Sequence, residues 1–122
     1  MTVLEEYIDG WRRDDVDAVL ATLAHDCVVT ESYGPVYRGP VAVRRWMEQW
    51  FGQGGQIHRW ETTSHRLGDG FEVAEWTFEC TWAGNRSTFD GITLATTTGG
   101  RVHRLREYQT TAPLYEWDGT WR

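Results

Sequence analysis

The stretch VVTESYGPVYRG, residues 28 to 39, places a carboxylate where an apolar strand pattern would continue. Strand side chains alternate faces, so Glu31 shares a face with Cys27, Val29 and Tyr33, while Val28, Thr30 and Ser32 point the other way. The acid sits on the more apolar side. Either the strand frays and Glu31 is a solvated carboxylate at its end, or an ionisable group is aimed into a pocket, where desolvation raises its pKa. In the second case Glu31 is a base able to accept a proton from a carbon or a water near neutral pH, a role typically worth ~10²–10⁴-fold in rate.

Other chemistry finds less support. His58 and His65 are separated by an odd number of positions and project to opposite faces of a strand, and His103 and Glu107 lie beyond the spacing at which strand neighbours meet. With no HxxxH, HExxH or CxxC pattern, the sequence predicts no metal. GQGG at 52 to 55 follows a helix and precedes a strand, the reverse of a phosphate-binding loop, so no cofactor is expected. Cys27 and Cys80 lie on strand-like segments without a basic or His neighbour in sequence. They read as small buried residues of a reducing compartment rather than nucleophiles or a disulfide framework.

The chain has 122 residues, the size of one domain, and a formal charge of -6 with acids spread along its length. That balance excludes a phosphate-backbone partner, so no nucleic acid is expected. No apolar run reaches the length of a signal peptide or membrane span, and the expectation is a cytoplasmic protein with no membrane partner. Eight tryptophans form an aromatic supply that either fills a core or lines a cavity for a flat apolar ligand.

The elements that must position Glu31 are readable from periodicity. Val3, Leu4, Tyr7, Ile8 and Trp11 make one helical stripe, and Val16, Val19, Leu20 and Leu23 a second, with Asp14 as the expected cap. A strand over about Cys27 to Tyr33 follows. A loop through Gly34, Pro35 and Gly39 then leads to Pro40, which opens a third helix bearing Val43, Trp46, Met47 and Trp50. From there the period is two, in four runs separated by Gly68-Asp69-Gly70, Gly84-Asn85 and Gly99-Gly100. In EWTFECTW, Trp76, Phe78, Cys80 and Trp82 share one face. In DGITLATT, Ile92 and Leu94 mark the apolar side and Asp90 shares it; in the last run His103, Leu105, Glu107 and Gln109 share a face. Helices followed by an antiparallel meander predict an α+β fold with helices laid against a curved sheet.

This order, with YIDGWRRDDVDAVLATLAHDCVV, YRGPVAVRRWM and GGRVHRLREY, resembles the SnoaL-like branch of the nuclear transport factor two-like superfamily over about residues 4 to 112. That superfamily also includes ketosteroid isomerase and limonene epoxide hydrolase. The resemblance implies a cone-shaped curved antiparallel sheet packed on three N-terminal helices, enclosing a conical pocket. Glu31 falls where ketosteroid isomerases carry their carboxylate base, and Tyr7 where they carry the tyrosine that donates to the developing oxyanion, chemistry known for those enzymes. Their third group, a protonated aspartate, would lie near Ile92, where the nearest acid is Asp90. The same comparison turns His103, Leu105, Glu107 and Gln109 into the cone, making His103 and Glu107 further acid-base candidates.

The expected protein is a single domain over 1-122, with 111-122 an aromatic tail that packs on the pocket rim or a partner subunit and turns at Asp118-Gly119. Its expected activity is cofactor-independent proton transfer, of isomerase or cyclase type, on an apolar cyclic or aromatic metabolite. The catalytic candidates are Glu31, Tyr7, His103, Glu107 and Asp90, and the ligand contacts Trp11, Tyr33, Trp76, Phe78, Ile92, Leu105 and Gln109. The rival readings are a small-molecule binding domain without catalysis and a structural dimer whose cone is filled by tryptophan. A flat sheet face of Thr77, Thr81, Thr93 and Thr97 with Ala95, and the habit of relatives to pair through their sheets, predict a homodimer.

Overall fold

The structure, a computed structural model, describes residues 1–122. Helix α1 (Val3–Arg12) starts at a capping box: the Thr2 hydroxyl accepts from the Glu5 amide while the Glu5 carboxylate accepts from the Thr2 amide. Its stripe, Leu4, Tyr7, Ile8 and Trp11, is buried as the spacing predicts. Helix α2 (Val16–Ala21) is capped by Asp15, which accepts from the Ala18 amide at 3.0 Å, and not by Asp14. Asp14 instead adopts φ 51 in the tight link that reverses the chain, which displaces the cap by one residue.

Strand β1 (Leu23–Thr30) begins and ends earlier than its valines suggest, and the loop expected after it contains a short strand, β2 (Val36–Arg38), paired antiparallel to β1. Helix α3 (Gly39–Gly52) carries proline in its first turn, where a missing amide hydrogen costs nothing. The meander β3 (Gln56–Gly68), β4 (Phe71–Trp82), β5 (Asn85–Thr98) and β6 (Arg101–Gln109) turns at the three glycine sites read from the sequence.

The six strands form one curved, unclosed sheet in the order β2-β1-β6-β5-β4-β3. It is mixed rather than antiparallel throughout, because β1 runs parallel to β6. The chain crosses from β1 through α3 to the far edge of the sheet, and the meander then brings its last strand back beside β1. Register shifts in the β3–β4, β5–β6 and β1–β6 ladders mark where the sheet bends around its concave face.

On β5 the structure reverses the expected parity. Trp76 is opposite Gly91, Phe78 opposite Phe89 and Cys80 opposite Ser87, so the odd residues of β5 share the concave face. Asp90, Ile92 and Leu94 face outward, while Thr93 and Ala95, expected on the outer face, are buried. Bulk explains the reversal. A Cβ on Gly91 would lie 2.3 Å from the Trp76 ring, and Trp76 donates its indole N–H to the Thr93 hydroxyl at 2.8 Å, so the strand under Trp76 must carry its small residues inward.

The core lies between the helices and this face, built on Leu4, Tyr7, Val29, Met47, Val102 and Leu105. Glu72 is buried within it: its carboxylate accepts from the Leu4 amide at 3.1 Å and lies 2.8 Å from His65 Nε2, which fastens the first turn of α1 to β3 and β4. Beyond Gln109 the tail has no regular secondary structure. Trp117 and Trp121 pack against each other at a tilt, 5.2 Å between centroids, and remain exposed, and Asp118 accepts from the Thr120 amide in the expected turn. No helix is long and apolar enough to cross a membrane.

Candidate active site

A cavity of about 510 Å³ opens between α1, α3 and the concave sheet face, a volume typical of small-molecule sites. Six of the eight tryptophans form its wall: Trp11 from α1, Trp46 and Trp50 from α3, Trp60 from β3, and Trp76 and Trp82 from β4. They pack edge to face or tilted, as in the Trp60–Trp76 pair at 5.7 Å and 81° and the Trp11–Trp46 pair at 4.5 Å, and so stand around the space.

Glu31 is the first residue beyond β1, in the link that turns into β2. Its amide donates to the Pro35 carbonyl at 3.0 Å and its carbonyl accepts from the Gly34 amide at 3.2 Å. Gly34 has φ 119, a conformation that a side chain would strain. The turn thus fixes the glutamate backbone and aims the carboxylate into the cavity, where Tyr37 of β2 donates its hydroxyl hydrogen to Oε1 at 2.6 Å. Tyr37 is itself held flat on Trp46, 4.2 Å between centroids and 5° between planes. Desolvation raises the Glu31 pKa above the ordinary carboxylate value, opposed by hydrogen bonding from Tyr37 and Tyr33.

Glu107 is the second carboxyl in the cavity, brought in by β6 directly opposite Thr93. Burial and then the negative charge of Glu31 push its pKa up to about 8, with the Thr93 hydroxyl pulling the other way. Glu107 is therefore mostly protonated at neutral pH, beside a Glu31 whose carboxyl is bonded to a phenol. Such a division arises when like charges share a desolvated space and only one of them has a strong donor. Ser32 donates to Gln109 Oε1 at 2.6 Å, tying the Glu31 turn to the end of β6.

Of the residues singled out in the sequence, Glu31, Glu107, Trp11, Tyr33, Trp76, Phe78 and Gln109 line this one cavity. The others go elsewhere. Tyr7 is fully buried outside the cavity lining, its hydroxyl has no hydrogen-bond partner, and desolvation pushes its pKa well above that of an ordinary phenol. The phenol that meets Glu31 is Tyr37. His103 lies outside the cavity, with Nδ1 3.6 Å from Asp26. Asp90 accepts from Thr77 at 2.8 Å on the outer face, Ile92 lies on that face beside it, and Leu105 is core. Two of these departures have simple causes: Tyr7 sits at the centre of a buried helical stripe, and Asp90 and Ile92 lie on β5, whose parity is the opposite of that expected. Tyr37, Trp46, Trp60 and Phe89 were not singled out. A hairpin reading of VVT, a Gly-Pro turn and VYR would have paired Tyr37 with Val29 and set it beside Glu31, but three residues are too few to announce a strand.

The profile of the SnoaL-like domain family matches residues 4–105. Among solved structures, a ketosteroid isomerase-like fold protein of Catenulispora acidiphila in complex with trimethylamine is similar, at 15% identity and TM-score 0.79, covering 88% of this chain and 86% of that one. An epoxide hydrolase of Mycobacterium tuberculosis, like limonene epoxide hydrolase, shares 18% identity at TM-score 0.77, over 88% of this chain and 80% of that one. TerC co-crystallised with polyporic acid shares 16% at TM-score 0.76, over 89% of each chain. No curated protein sequence matches the chain. The family match over most of the chain, on a six-stranded curved sheet with three helices, places this protein in the SnoaL-like domain family of the nuclear transport factor two-like fold.

Proposed function

We propose that the protein is a cofactor-independent enzyme that moves a proton on a cyclic or aromatic metabolite held in the cavity. The observation that carries this reading is the unequal pair of carboxyls in one aromatic-walled space, one bonded to Tyr37 and the other protonated at neutral pH. Glu31 takes a proton from a carbon adjacent to a carbonyl. Glu107 gives its proton, or a hydrogen bond, to the carbonyl oxygen on which the electron pair settles. Return of the proton from Glu31 to a different carbon, as the enol oxygen gives its proton back to Glu107, completes an isomerisation; attack of the enol carbon on a second carbonyl, whose oxygen takes the proton held by Glu31 while the enol oxygen returns its own to Glu107, completes a cyclisation. Ketosteroid isomerases divide the work in a similar way between a carboxylate base and a neutral carboxylic acid. Here the acid comes from the strand beside the expected one. The relatives crystallised with trimethylamine and with polyporic acid support the cavity as a small-molecule site.

The test is proton exchange. With 2-tetralone in heavy water, NMR is expected to show deuterium entering the position next to the carbonyl faster with the wild type than with Glu31→Gln. Equal rates would leave a binding domain without catalysis as the better reading.

The outer sheet face supports a homodimer on new grounds. With β5 reversed, it presents Ile92, Leu94 and Tyr108, the last two substantially exposed, beside Asp90 and Thr77. We propose this face as the contact between two copies.

A further inference from the structure

We propose that the cavity selects organic cations: molecules with an apolar ring and a tertiary or quaternary ammonium group. The inference rests on the cavity being a ligand site, as in the proposed function, and adds which charge class it accepts.

The first observation is the charge of the wall. Glu31 and Glu107 are the only ionisable acids among the 20 lining residues, and no Lys, Arg or His stands with them. The nearby arginine is committed elsewhere. Arg12 donates to the Trp60 carbonyl at 3.1 Å and to Asp9 at 3.3 Å, outside the space. Nothing in the wall compensates the carboxylate of Glu31 except the neutral phenols of Tyr37 and Tyr33. An anion entering here meets a like charge in a poorly solvated space, and a neutral ring leaves the carboxylate without a counter-ion. A cation supplies one.

The second observation is independent of charge. The aromatic rings of the wall stand at widely different angles to one another, and the cavity is large enough for a ring with a substituted nitrogen. The Tyr37–Trp46 stack and the Trp11–Trp46 contact hold three of these rings in fixed orientations around one end. Aromatic faces attract alkylammonium groups through their quadrupoles, and the attraction strengthens when water is excluded. A tertiary ammonium would also donate its N–H to Glu31. A quaternary one would rely on the rings and on charge alone.

The remaining polar lining, including Gln49, Gln53, Gln109 and Ser87, is uncharged and discriminates by hydrogen bonding rather than sign. The net charge of -6 favours the approach of cations to the mouth as well.

The experiment titrates three probes of one shape against the protein by tryptophan fluorescence, which six wall tryptophans make a direct reporter. The probes are benzyltrimethylammonium, its uncharged carbon isostere neopentylbenzene, and phenylmethanesulfonate. The cation is expected to bind at least about tenfold more tightly than the isostere, with no measurable binding of the sulfonate. Glu31→Gln is expected to remove roughly tenfold of the cation's affinity while leaving that of the isostere, which also reports that the variant is folded. Equal binding of isostere and cation, preference for the sulfonate, or undiminished cation binding by Glu31→Gln would each overturn the charge selection while leaving the ligand cavity intact. Failure of all three probes to bind would overturn both the selection and the proposed function.

Discussion

Tyr37 donates to Glu31 at 2.6 Å while its ring lies flat on Trp46, so the orientation of the carboxylate is set by an aromatic stack on the third helix. The hydroxyl stabilises the ionised form against the cost of burial. Tyr37→Phe removes the donor and keeps the stack. The Glu31 pKa is expected to rise further above its ordinary value, read by carbon-detected NMR titration of the side-chain carboxyl. An unchanged value would mean that the bond does not hold the charge in solution.

Glu107 gives a pH dependence whose sign is fixed. The unfolded chain releases this proton near the ordinary 4.5 and the folded chain near 8, so the stability associated with the protonated group is complete below 4.5 and is lost as pH rises to about 8. Glu107→Gln, which cannot ionise, is expected to melt about 5 °C above the wild type at pH 9 and to lose that advantage at pH 4. Thermal unfolding at the two pH values checks it. If Glu107 is also the acid of the reaction, exchange by the wild type falls as pH rises through about 8.

Gly91 makes room for Trp76. A Cβ there would meet the indole at 2.3 Å and the Tyr108 carbonyl at 2.5 Å, and neither the backbone nor a ring held by Thr93 can yield cheaply. Gly91→Ala is expected to destabilise the fold by roughly 1–3 kcal/mol in urea unfolding and to alter the cavity wall. A variant as stable as the wild type would mean that Trp76 can leave its seat.

The outer sheet face is testable without reference to chemistry. Leu94→Asp places a charge at the exposed apolar position of β5. Sedimentation is expected to show a dimer for the wild type and a monomer for the variant, with unchanged secondary structure by circular dichroism. A monomeric wild type would dispose of the interface.

While the inward face of β6 came from the family resemblance, the sequence by itself determined the three helices, the glycine-turned meander and the inward face of β4. Each has a local cause: a 3.6-residue stripe, a positive-φ turn, or alternation strong enough to survive on its own. It also determined that Glu31 sits on the apolar side of its strand end. What only the tertiary structure decided is the company that carboxylate keeps. The parity of β5 follows from the bulk of Trp76 on the neighbouring strand, which no reading of DGITLATT contains. Tyr37 reaches Glu31 because three residues pair back on β1, and Glu107 joins them because β6 returns beside β1 in parallel, far from it in sequence. Local patterns set which way a strand faces only where the pattern is unambiguous. Elsewhere packing between distant strands chooses, and both partners of Glu31 were chosen that way.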